Sequence, residues 1–362
     1  MDTLSRDRKA TIKDTRRMRR CSVVKLSAPA AEEAAAESLT LPLYALWAQG
    51  ATGTTILESM LTPAGRFAPS PSGDLHIGNV RTGVVAYLWA RWSGRAFRWR
   101  TEDLDRVREG SGERQLEEFR GLGVRIDGDV VTQSHRTDLY ASACDDLAGR
   151  GLVYECYCSR RDIQSAPSAP HAPPGAYPGT CRHLTEAQRG EARARLAAVG
   201  RAPALRLASD VREHTVEDTM LGSVTSHVDD FVLRRGDGVW AYNLAVVVDD
   251  ADMGIDQVVR GDDLASSAPR QAHLCALLRL PVPEYVHVPL VLGPTGARLA
   301  KRDGAVTPAQ LAVHGFDLWA WMGESLGFGP WRDIDDALMR FDPARMTHEA
   351  VVFDPPPLTA AG

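Results

Sequence analysis

The 362-residue sequence lacks three features that would place it in a special class of protein. It has no run of about 18 apolar residues, so we predict no membrane-spanning segment. Its six cysteines are too few for a disulfide scaffold in a chain of this length. It also lacks an excess of basic residues, because the formal net charge is −5. The composition therefore does not indicate nucleic-acid binding, although an acidic protein can carry a local basic face that binds nucleic acid. We expect a cytoplasmic globular protein of one or two domains.

The first 62 residues differ in composition from the rest of the chain. They contain the basic stretch RDRKATIKDTRRMRR and the small-residue stretch SAPAAEEAAAESLT. An arginine-rich start is compatible with an organelle-targeting peptide, but Asp2, Asp7 and Asp14 argue against one. We therefore expect residues 1–62 to be a disordered extension, or an over-long start with Met60 as the working initiator.

Strand and helix patterns alternate from Gly65 onward. The stretch GRFAPS reads as a short buried strand before a helix at NVRTGVVAYLWARWSG, and AFRWRTED reads as a further strand. This alternation predicts an α/β fold with a parallel sheet and helices on both faces. A turn at Gly236-Asp237-Gly238 is predicted to lead into a long buried strand within WAYNLAVVVDD. Near the C-terminus we predict one helix, PAQLAVHGFDLWAWMGESLG, and a frayed proline-rich end.

The stretch RFAPSPSGDLHIGN, residues 66–79, combines chain breakers with one histidine. Its prolines fix φ and Gly73 permits a sharp reversal, so the strand ends there and His76 falls in the turn. Gly78 and Asn79 open the next helix, and a helix N-terminus is a favourable place for phosphate. Taken alone, a HIG tripeptide is more often an ordinary turn than a binding site, so the interpretation depends on the surrounding motifs.

Four motifs in order resemble the class I tRNA synthetases of the glutamyl type. RFAPSPSGDLHIGNVRTG is similar to the family's HIGH element, RTEDLDRVR to its next segment, WAYNLAVVVDDADMGIDQVVRGDDL to its active-site strand and loop, and RLAKR to its KMSKS element. The resemblance runs from about Gly65 to about Gly304. Only about 60 residues follow Arg302, too few for the anticodon-binding region of a full glutamyl-tRNA synthetase. The chain therefore most resembles the shortened branch, the glutamyl-Q tRNA(Asp) synthetases.

This resemblance implies a Rossmann-like class I catalytic core with an inserted zinc-binding, acceptor-type subdomain. The expected divisions are the extension at 1–62, the first half of the core at 63–150, the inserted subdomain at 151–235, the second half of the core with the KMSKS-like loop at 236–330, and a short C-terminal tail at 331–362.

The implied reaction begins with ATP-dependent activation of L-glutamate to glutamyl-adenylate without tRNA, with Mg²⁺ accompanying ATP. Glutamate then passes to the queuosine base at the anticodon wobble position of tRNA(Asp). The alternatives are a glutamyl-tRNA synthetase that charges a tRNA 3′ end, and a catalytically inactive RNA-binding paralogue. The resemblance also leads us to expect a cytoplasmic monomer.

Activation concentrates negative charge on phosphoryl oxygens, so fixed donors and cations are needed near ATP. The resemblance assigns His76 and Lys301 as catalytic residues, with Lys301 holding the leaving pyrophosphate. The complete ATP-binding set that it implies is His76, Gly78, Asn79 and Lys301. Arg298 and Ala300 stand where lysine and serine are usual in the KMSKS element, which removes one phosphate hydrogen bond but keeps the lysine.

Glutamate presents two carboxylates and an ammonium, and a site for it needs guanidinium groups and a carboxylate. The positions that match the family's glutamate-binding residues are Arg66, Phe67, Ala68, Pro69, Ser70, Glu102, Tyr242 and Arg260. Residues 67–70 would line the site with backbone. From the residues alone, Arg260 could equally well form a structural salt bridge with Asp262 or Asp263. Glu102 could likewise be a solvent-exposed carboxylate with no role in binding.

A cysteine cluster predicts a metal site. Cys156 and Cys158 have a spacing that binds zinc, and structural zinc sites use four ligands. The resemblance implies one structural Zn²⁺ held by Cys156, Cys158, Tyr177 and Cys181. The chemistry of the side chains favours His183 over Tyr177 as fourth ligand, because a free phenol has a pKa of about 10. A pair of reduced core cysteines is the remaining interpretation.

Overall fold

The computed structural model describes residues 62–165, 176–297, 299 and 306–354. The strands are β1 (Ala64–Phe67), β2 (Ala96–Thr101), β3 (Val131–Thr132), β4 (Val153–Cys156), β5 (Ala204–Leu207), β6 (Glu213–Asp218), β7 (Gly222–His227), β8 (Val232–Arg234), β9 (Ile255–Gly261), β10 (Glu284–Val288), β11 (Val291–Leu292) and β12 (Val351–Val352). The helices are α1 (Ile77–Trp92), α2 (Ser111–Gly121), α3 (Thr137–Gly149), α4 (Arg160–Ser165), α5 (Glu186–Ala197), α6 (Tyr242–Asp252), α7 (Ala268–Leu278), α8 (Pro308–Ala312), α9 (Leu318–Ser325) and α10 (Ile334–Arg340).

The central sheet has the strand order β3-β2-β1-β9-β10-β6-β7. Strand β1 pairs in parallel with β2 and β9, and β9 pairs in parallel with β10. Only β7 runs antiparallel to its neighbour, β6, within this sheet. Parallel neighbours need long crossovers, and α1 supplies the one between β1 and β2. The predicted α/β fold with a Rossmann-like parallel core is confirmed.

Both faces of the sheet are covered, because alternate residues of the inner strands enter different hydrophobic clusters. Val259 of β9 and Val286 of β10 pack in the cluster that contains most of the buried face of α1. Their neighbours Val258 and Tyr285 pack in a second cluster with Ala272 of α7. Side chains alternate between faces along a strand, so the sheet lies between two helical layers.

A smaller antiparallel sheet, β4-β5-β8, lies within the predicted insertion at 151–235. Strand β4 ends at Cys156, so this sheet fixes the first of the candidate metal ligands. The arrangement is compatible with an inserted subdomain, and the boundaries of that subdomain stay a prediction.

The predicted long strand within WAYNLAVVVDD is wrong. Residues Tyr242–Asp252 form α6, with Leu244 to Asp250 buried. A continuous apolar run does not distinguish a buried strand from a buried helix, and here the run packs against α3, α7 and β9. The turn before it is confirmed: Gly238 has φ +87° and Arg234 bridges Trp240 across it.

The C-terminal part also differs from prediction. The predicted single helix is two helices, α8 and α9, with Gly315 at φ +71° between them. The end of the chain is not frayed as far as Asp354, because Trp331 is buried and β12 pairs in parallel with β11. Residues 1–61 of the predicted extension lie outside the described residues. Within the part of the chain that is described, none of the helices has the length and apolar character needed to cross a membrane.

Candidate active site and metal centre

Three of the predicted glutamate-binding side chains come together at one edge of the sheet. Arg66 lies near the end of β1, Glu102 directly follows β2, and Arg260 lies near the end of β9. These strands are neighbours and parallel, so their carboxyl ends meet at the edge where open α/β sheets bind ligands. Two further contacts tie the ends together: Glu102 N–H donates to the Pro69 carbonyl at 3.0 Å, and Arg66 Nη1 donates to the Val259 carbonyl at 3.5 Å.

A buried ion network holds Arg66 and Glu102 in place. Asp250 Oδ1 accepts from Arg100 Nη1 at 2.6 Å and from Arg66 Nε at 3.3 Å. Arg100 is fully buried and donates through Nη2 to Glu102 Oε1 at 3.1 Å. Burial raises the pKa of Asp250, but the charges of Arg100 and Arg66 outweigh it and leave that pKa below its ordinary value. At Glu102 burial is the larger effect, and the pKa of that carboxyl is raised despite Arg100.

The network extends behind the strand ends through Asp249. This carboxylate has no exposed surface and accepts from Arg136 Nε at 2.7 Å, from Gln133 Nε2 at 2.7 Å and from the Tyr140 hydroxyl at 3.0 Å. Arg100 Nε lies 3.6 Å from Asp249 Oδ2. Charges of alternating sign therefore run from Arg66 into the core, so the guanidinium of Arg66 is attached to a rigid support.

Arg260 has a different environment, although it is also buried. Its Nε donates to His287 Nε2 at 3.0 Å, and its Nη1 contacts Gln271 Oε1 at 2.9 Å. Its Nη1 also reaches the Tyr242 hydroxyl at 3.3 Å, and its Nη2 reaches the Leu264 carbonyl at 3.4 Å. All of these partners are neutral. Within the described residues Arg260 forms no ion pair, with Asp262, Asp263 or any other carboxylate.

The remaining predicted glutamate residues take two kinds of position. Tyr242 begins α6 and is 40% exposed, with its hydroxyl on Arg260. The Phe67 side chain belongs to the core, where it stacks on Phe119 at 4.8 Å. Ala68, Pro69 and Ser70 form the turn after β1, and their backbone is partly used within the protein: the Ser70 carbonyl accepts from Ser72 N–H and from Gln115.

His76 is the N-cap of α1. Its Nδ1 accepts the Asn79 N–H at 3.3 Å, so the neutral ring carries its hydrogen on Nε2. Gly78 lies against this ring, because an added Cβ there would be 3.1 Å from ring atoms of His76. The three motif residues therefore form one compact cap at the start of a buried helix.

Lys301, predicted to hold pyrophosphate, lies outside the described residues. The residues that border this gap are described, and they contact the start of α1. Leu299 and Val306 pack with Ile77 in one hydrophobic cluster, and Ile77 N–H donates to the Val306 carbonyl at 3.2 Å.

The three cysteines of the predicted metal site lie close together in the structure. The Sγ atoms of Cys156, Cys158 and Cys181 all lie within 4.8 Å of one another, and the Cys158–Cys181 distance is 3.6 Å. The Tyr177 hydroxyl lies 3.4 Å from Cys156 Sγ and 3.9 Å from Cys158 Sγ. His183 is exposed and does not belong to this cluster in the described residues.

Sequence reasoning missed the residues that support the predicted ones. Asp250 and Arg100 bracket Arg66 and Glu102, and Asp218 and His287 stand behind Arg260. A signal for Asp250 exists in the sequence, since two adjacent aspartates end the apolar run of VVVDD, where an unpaired charge would be costly. No comparable signal marks Asp218, which is 69 positions from His287.

Comparison with known proteins identifies the family of this chain. The family profile described as tRNA synthetases class I (E and Q), catalytic domain, matches residues 64–320. The glutamyl-Q tRNA(Asp) synthetase of Nocardia farcinica (strain IFM 10152) is 56% identical over 289 residues, covering 79% of this chain and 91% of the relative. Glutamate–tRNA ligase 1 of Alkalilimnicola ehrlichii is 38% identical, covering 80% of this chain and 63% of the ligase.

Among solved structures, the glutamate-tRNA synthetase of Elizabethkingia anophelis has the same fold, with a TM-score of 0.67 and 24% identity over 81% of this chain and 68% of that one. The sequence relatives define the family more narrowly than the fold does, because the alignment with the Nocardia farcinica protein, at 56% identity, covers 91% of that relative. The chain therefore belongs to the class I tRNA synthetases of the E and Q type and, within them, to the glutamyl-Q tRNA(Asp) synthetases.

Proposed function

We propose that this protein activates L-glutamate with ATP in the absence of tRNA and transfers the glutamyl group to the queuosine base of tRNA(Asp). The observation that carries the proposal is Arg260, a buried cation with only neutral direct partners, at the same sheet edge as Arg66 and Glu102. A buried charge is costly unless it is paired, so this guanidinium suits an anionic ligand.

In this proposal glutamate lies at the carboxyl ends of β1, β2 and β9. Arg260 binds one of its carboxylates, and the exposed Tyr242 forms a polar wall beside it. Arg66 contacts a second anionic group, while its charge is shared with Asp250. Glu102 pairs with the ammonium; because burial has raised its pKa, a cation beside it restores the charged form.

The ATP phosphates lie at the start of α1. The His76 Nε2–H and the N-terminal N–H groups of the helix are donors that favour negative charge. A glutamate carboxylate oxygen attacks the α-phosphorus and pyrophosphate leaves, so donors here stabilise the charge that spreads over the phosphoryl oxygens. Mg²⁺ accompanies ATP as part of the substrate, and Lys301 is proposed to hold the leaving pyrophosphate.

The cysteine cluster fits one structural zinc ion. Tetrahedral zinc with Zn–S bonds of about 2.3 Å separates its sulfur atoms by roughly 3.8 Å, close to the 3.6 Å between Cys158 and Cys181. Tyr177 lies beside the thiols and His183 does not join them, which supports Tyr177 as the fourth ligand. When bound, zinc would link the end of β4 to the segment that carries Cys181. We propose no catalytic role for it.

The second step needs space for an acceptor base next to the activated glutamate. A cavity of about 210 Å³ is lined by Thr101 and Asp103, the sequence neighbours of Glu102, and by Pro71 among others. Single-stranded loop bases are recognised by entering such pockets, and an anticodon base is of this type. We also propose that the enzyme acts as a cytoplasmic monomer, with the core and insertion divided as 63–150, 151–235 and 236–330.

Glutamate-dependent exchange of labelled pyrophosphate into ATP, measured without tRNA, tests the activation step. We expect exchange with glutamate and little with glutamine, because glutamine lacks the side-chain carboxylate and would leave one of the two buried guanidinium groups, Arg66 or Arg260, without an anionic partner in the substrate. Absence of exchange would favour the inactive RNA-binding paralogue. Exchange that requires tRNA, followed by charging of tRNA(Glu), would favour the glutamyl-tRNA synthetase.

A further inference from the structure

A buried aspartate–histidine pair stands behind Arg260. Asp218 and His287 both have no exposed side-chain surface, and Asp218 Oδ2 lies 2.6 Å from His287 Nδ1. His287 Nε2 in turn lies 3.0 Å from Arg260 Nε. The three side chains therefore form a line from the end of β6, across β10, to the end of β9.

The far end of this line is fixed to backbone. Asp218 Oδ1 accepts N–H bonds from Met220 at 3.0 Å and from Leu221 at 2.9 Å, in the turn between β6 and β7. Asp218 Oδ2 also accepts the His287 N–H at 3.1 Å. Burial raises the pKa of Asp218, but the hydrogen bonds from His287 and from the turn outweigh it, so the carboxyl stays ionised.

The hydrogen bonds allow only one form of the ring. Arg260 Nε has a hydrogen and cannot accept, so His287 Nε2 must be the acceptor and the ring hydrogen must be on Nδ1, facing Asp218. Burial lowers the pKa of His287 and outweighs the effect of Asp218, which keeps the ring neutral. A protonated ring would present a second N–H to the guanidinium.

We propose that Asp218 and His287 are positioning residues for substrate binding: they fix the plane of the Arg260 guanidinium through Nε and place a counter-charge one ring away. A carboxylate at Nε would neutralise Arg260 directly. The neutral ring leaves the cation uncompensated at Nη1 and Nη2, whose contacts with Tyr242 and Leu264 are long enough for a substrate carboxylate to replace. The inference rests on the proposed role of Arg260 in binding glutamate.

Paired variants at His287 separate positioning from mere packing. In His287→Gln the amide oxygen reaches the place of Nε2 and still accepts from Arg260. In His287→Asn the amide reaches only the place of Nδ1, so Arg260 loses its acceptor. Asp218→Asn removes the charge and replaces one acceptor oxygen with a donor. That donor faces either Nδ1, where it favours the wrong tautomer, or the N–H groups of Met220 and Leu221, where it breaks the contacts that fix residue 218. His273→Gln is the matched control, since His273 is also a buried histidine but does not contact Arg260.

Exchange kinetics are measured for each folded variant with varied glutamate and varied ATP. We expect His287→Asn and Asp218→Asn to raise the glutamate KM at least tenfold, while the ATP KM and the kcat change less than threefold. We expect His287→Gln and the control to stay within threefold of the wild type. Equal effects of the Gln and Asn variants, or equal effects on both substrates, would overturn the proposal.

Two further measurements keep the test decisive. Arg260→Gln must raise the glutamate KM, and if it does not, the proposed role of Arg260 in binding glutamate is wrong. If Arg260→Gln raises the glutamate KM but His287→Asn leaves it unchanged, only the positioning role of His287 is overturned. For variants that do not fold, nitrogen-15 NMR of the wild-type histidines gives the tautomer, with His287 identified by its contact with the stacked Tyr285 ring. A hydrogen on Nδ1 supports the proposal, and one on Nε2 overturns it.

Discussion

Replacing Asp250 with asparagine should destabilise the fold, because it removes the central negative charge of the buried ion network. The substitution keeps the shape of the side chain but removes the charge that Arg100 contacts at 2.6 Å and Arg66 at 3.3 Å. Breaking a buried charge pair by removing one partner costs about 3–5 kcal/mol. Arg100 keeps Glu102 at 3.1 Å and Asp249 at 3.6 Å, so we expect the low end of that range, about 3 kcal/mol.

The same change should weaken glutamate binding. Arg66 would lose the opposite charge beside its Nε and keep only neutral acceptors among the described residues, the new amide oxygen and the Val259 carbonyl, so its guanidinium would be held less firmly towards the substrate. Loss of such orientation should raise the glutamate KM about tenfold, equivalent to about 1.4 kcal/mol. Urea unfolding followed by circular dichroism measures the stability, and tRNA-free exchange measures the KM.

Asp256→Asn is the matched control on the opposite end of the same sheet. Asp256 pairs with Arg95 at 2.9 Å and accepts the Ala64 N–H at 3.0 Å, but its side chain is 46% exposed. Exposed pairs contribute about 0–1 kcal/mol, so this variant should lose less than 1 kcal/mol and keep its glutamate KM. If the Asp250 and Asp256 variants lost the same stability, or if the Asp250 variant kept the wild-type KM, the reasoning about the network would be refuted.

The other predictions concern catalysis, metal and pH. His76→Ala should slow exchange about a hundredfold while Arg66→Ala mainly raises the glutamate KM, and equal effects of both on that KM alone would contradict the division of roles. Cys158→Ser and Cys181→Ser should each lower bound zinc from about one equivalent per chain towards zero in atomic absorption, and unchanged zinc would exclude the proposed site. The stability difference between the wild type and Asp250→Asn should narrow as the pH falls below about 4, because a carboxyl with a lowered pKa stabilises the fold fully above its ordinary pKa and loses that contribution as the pH falls towards the lowered pKa. Urea titrations at pH 7 and pH 3.5 measure this, and a constant difference would count against it.

The fold class could be predicted because its signals are local. Alternating Phe97 and Trp99 marked β2, and the helical spacing of Val80, Val84 and Leu88 marked α1. The segment Tyr242–Asp252 could not be assigned in this way, because its apolar run satisfies a buried strand and a buried helix alike. Only the packing of this segment against α3, α7 and β9 in the folded chain favours the helix.

The site shows the same limit. Arg66, Glu102 and Arg260 were predicted because each lies in a motif, and a motif is recognised from a few neighbouring residues in the sequence. Their supports come from distant elements: Asp250 lies 184 positions from Arg66, and Asp218 reaches Arg260 only through His287. Such partners become visible only when the sheet brings the strands together, so a single sequence predicts candidate substrate-binding residues but not the residues that hold them in place.

The most direct test of the proposed function is transfer of labelled glutamate to four purified acceptors. These are tRNA(Asp) with queuosine, the same tRNA with guanosine at the wobble position, queuosine-containing tRNA(Asp) without its 3′-terminal adenosine, and tRNA(Glu). We predict equal labelling of the two queuosine-containing tRNAs, with the label in the anticodon fragment after nuclease digestion, and none of the other two. Labelling of tRNA(Glu), or labelling of tRNA(Asp) that disappears with the terminal adenosine, would contradict it.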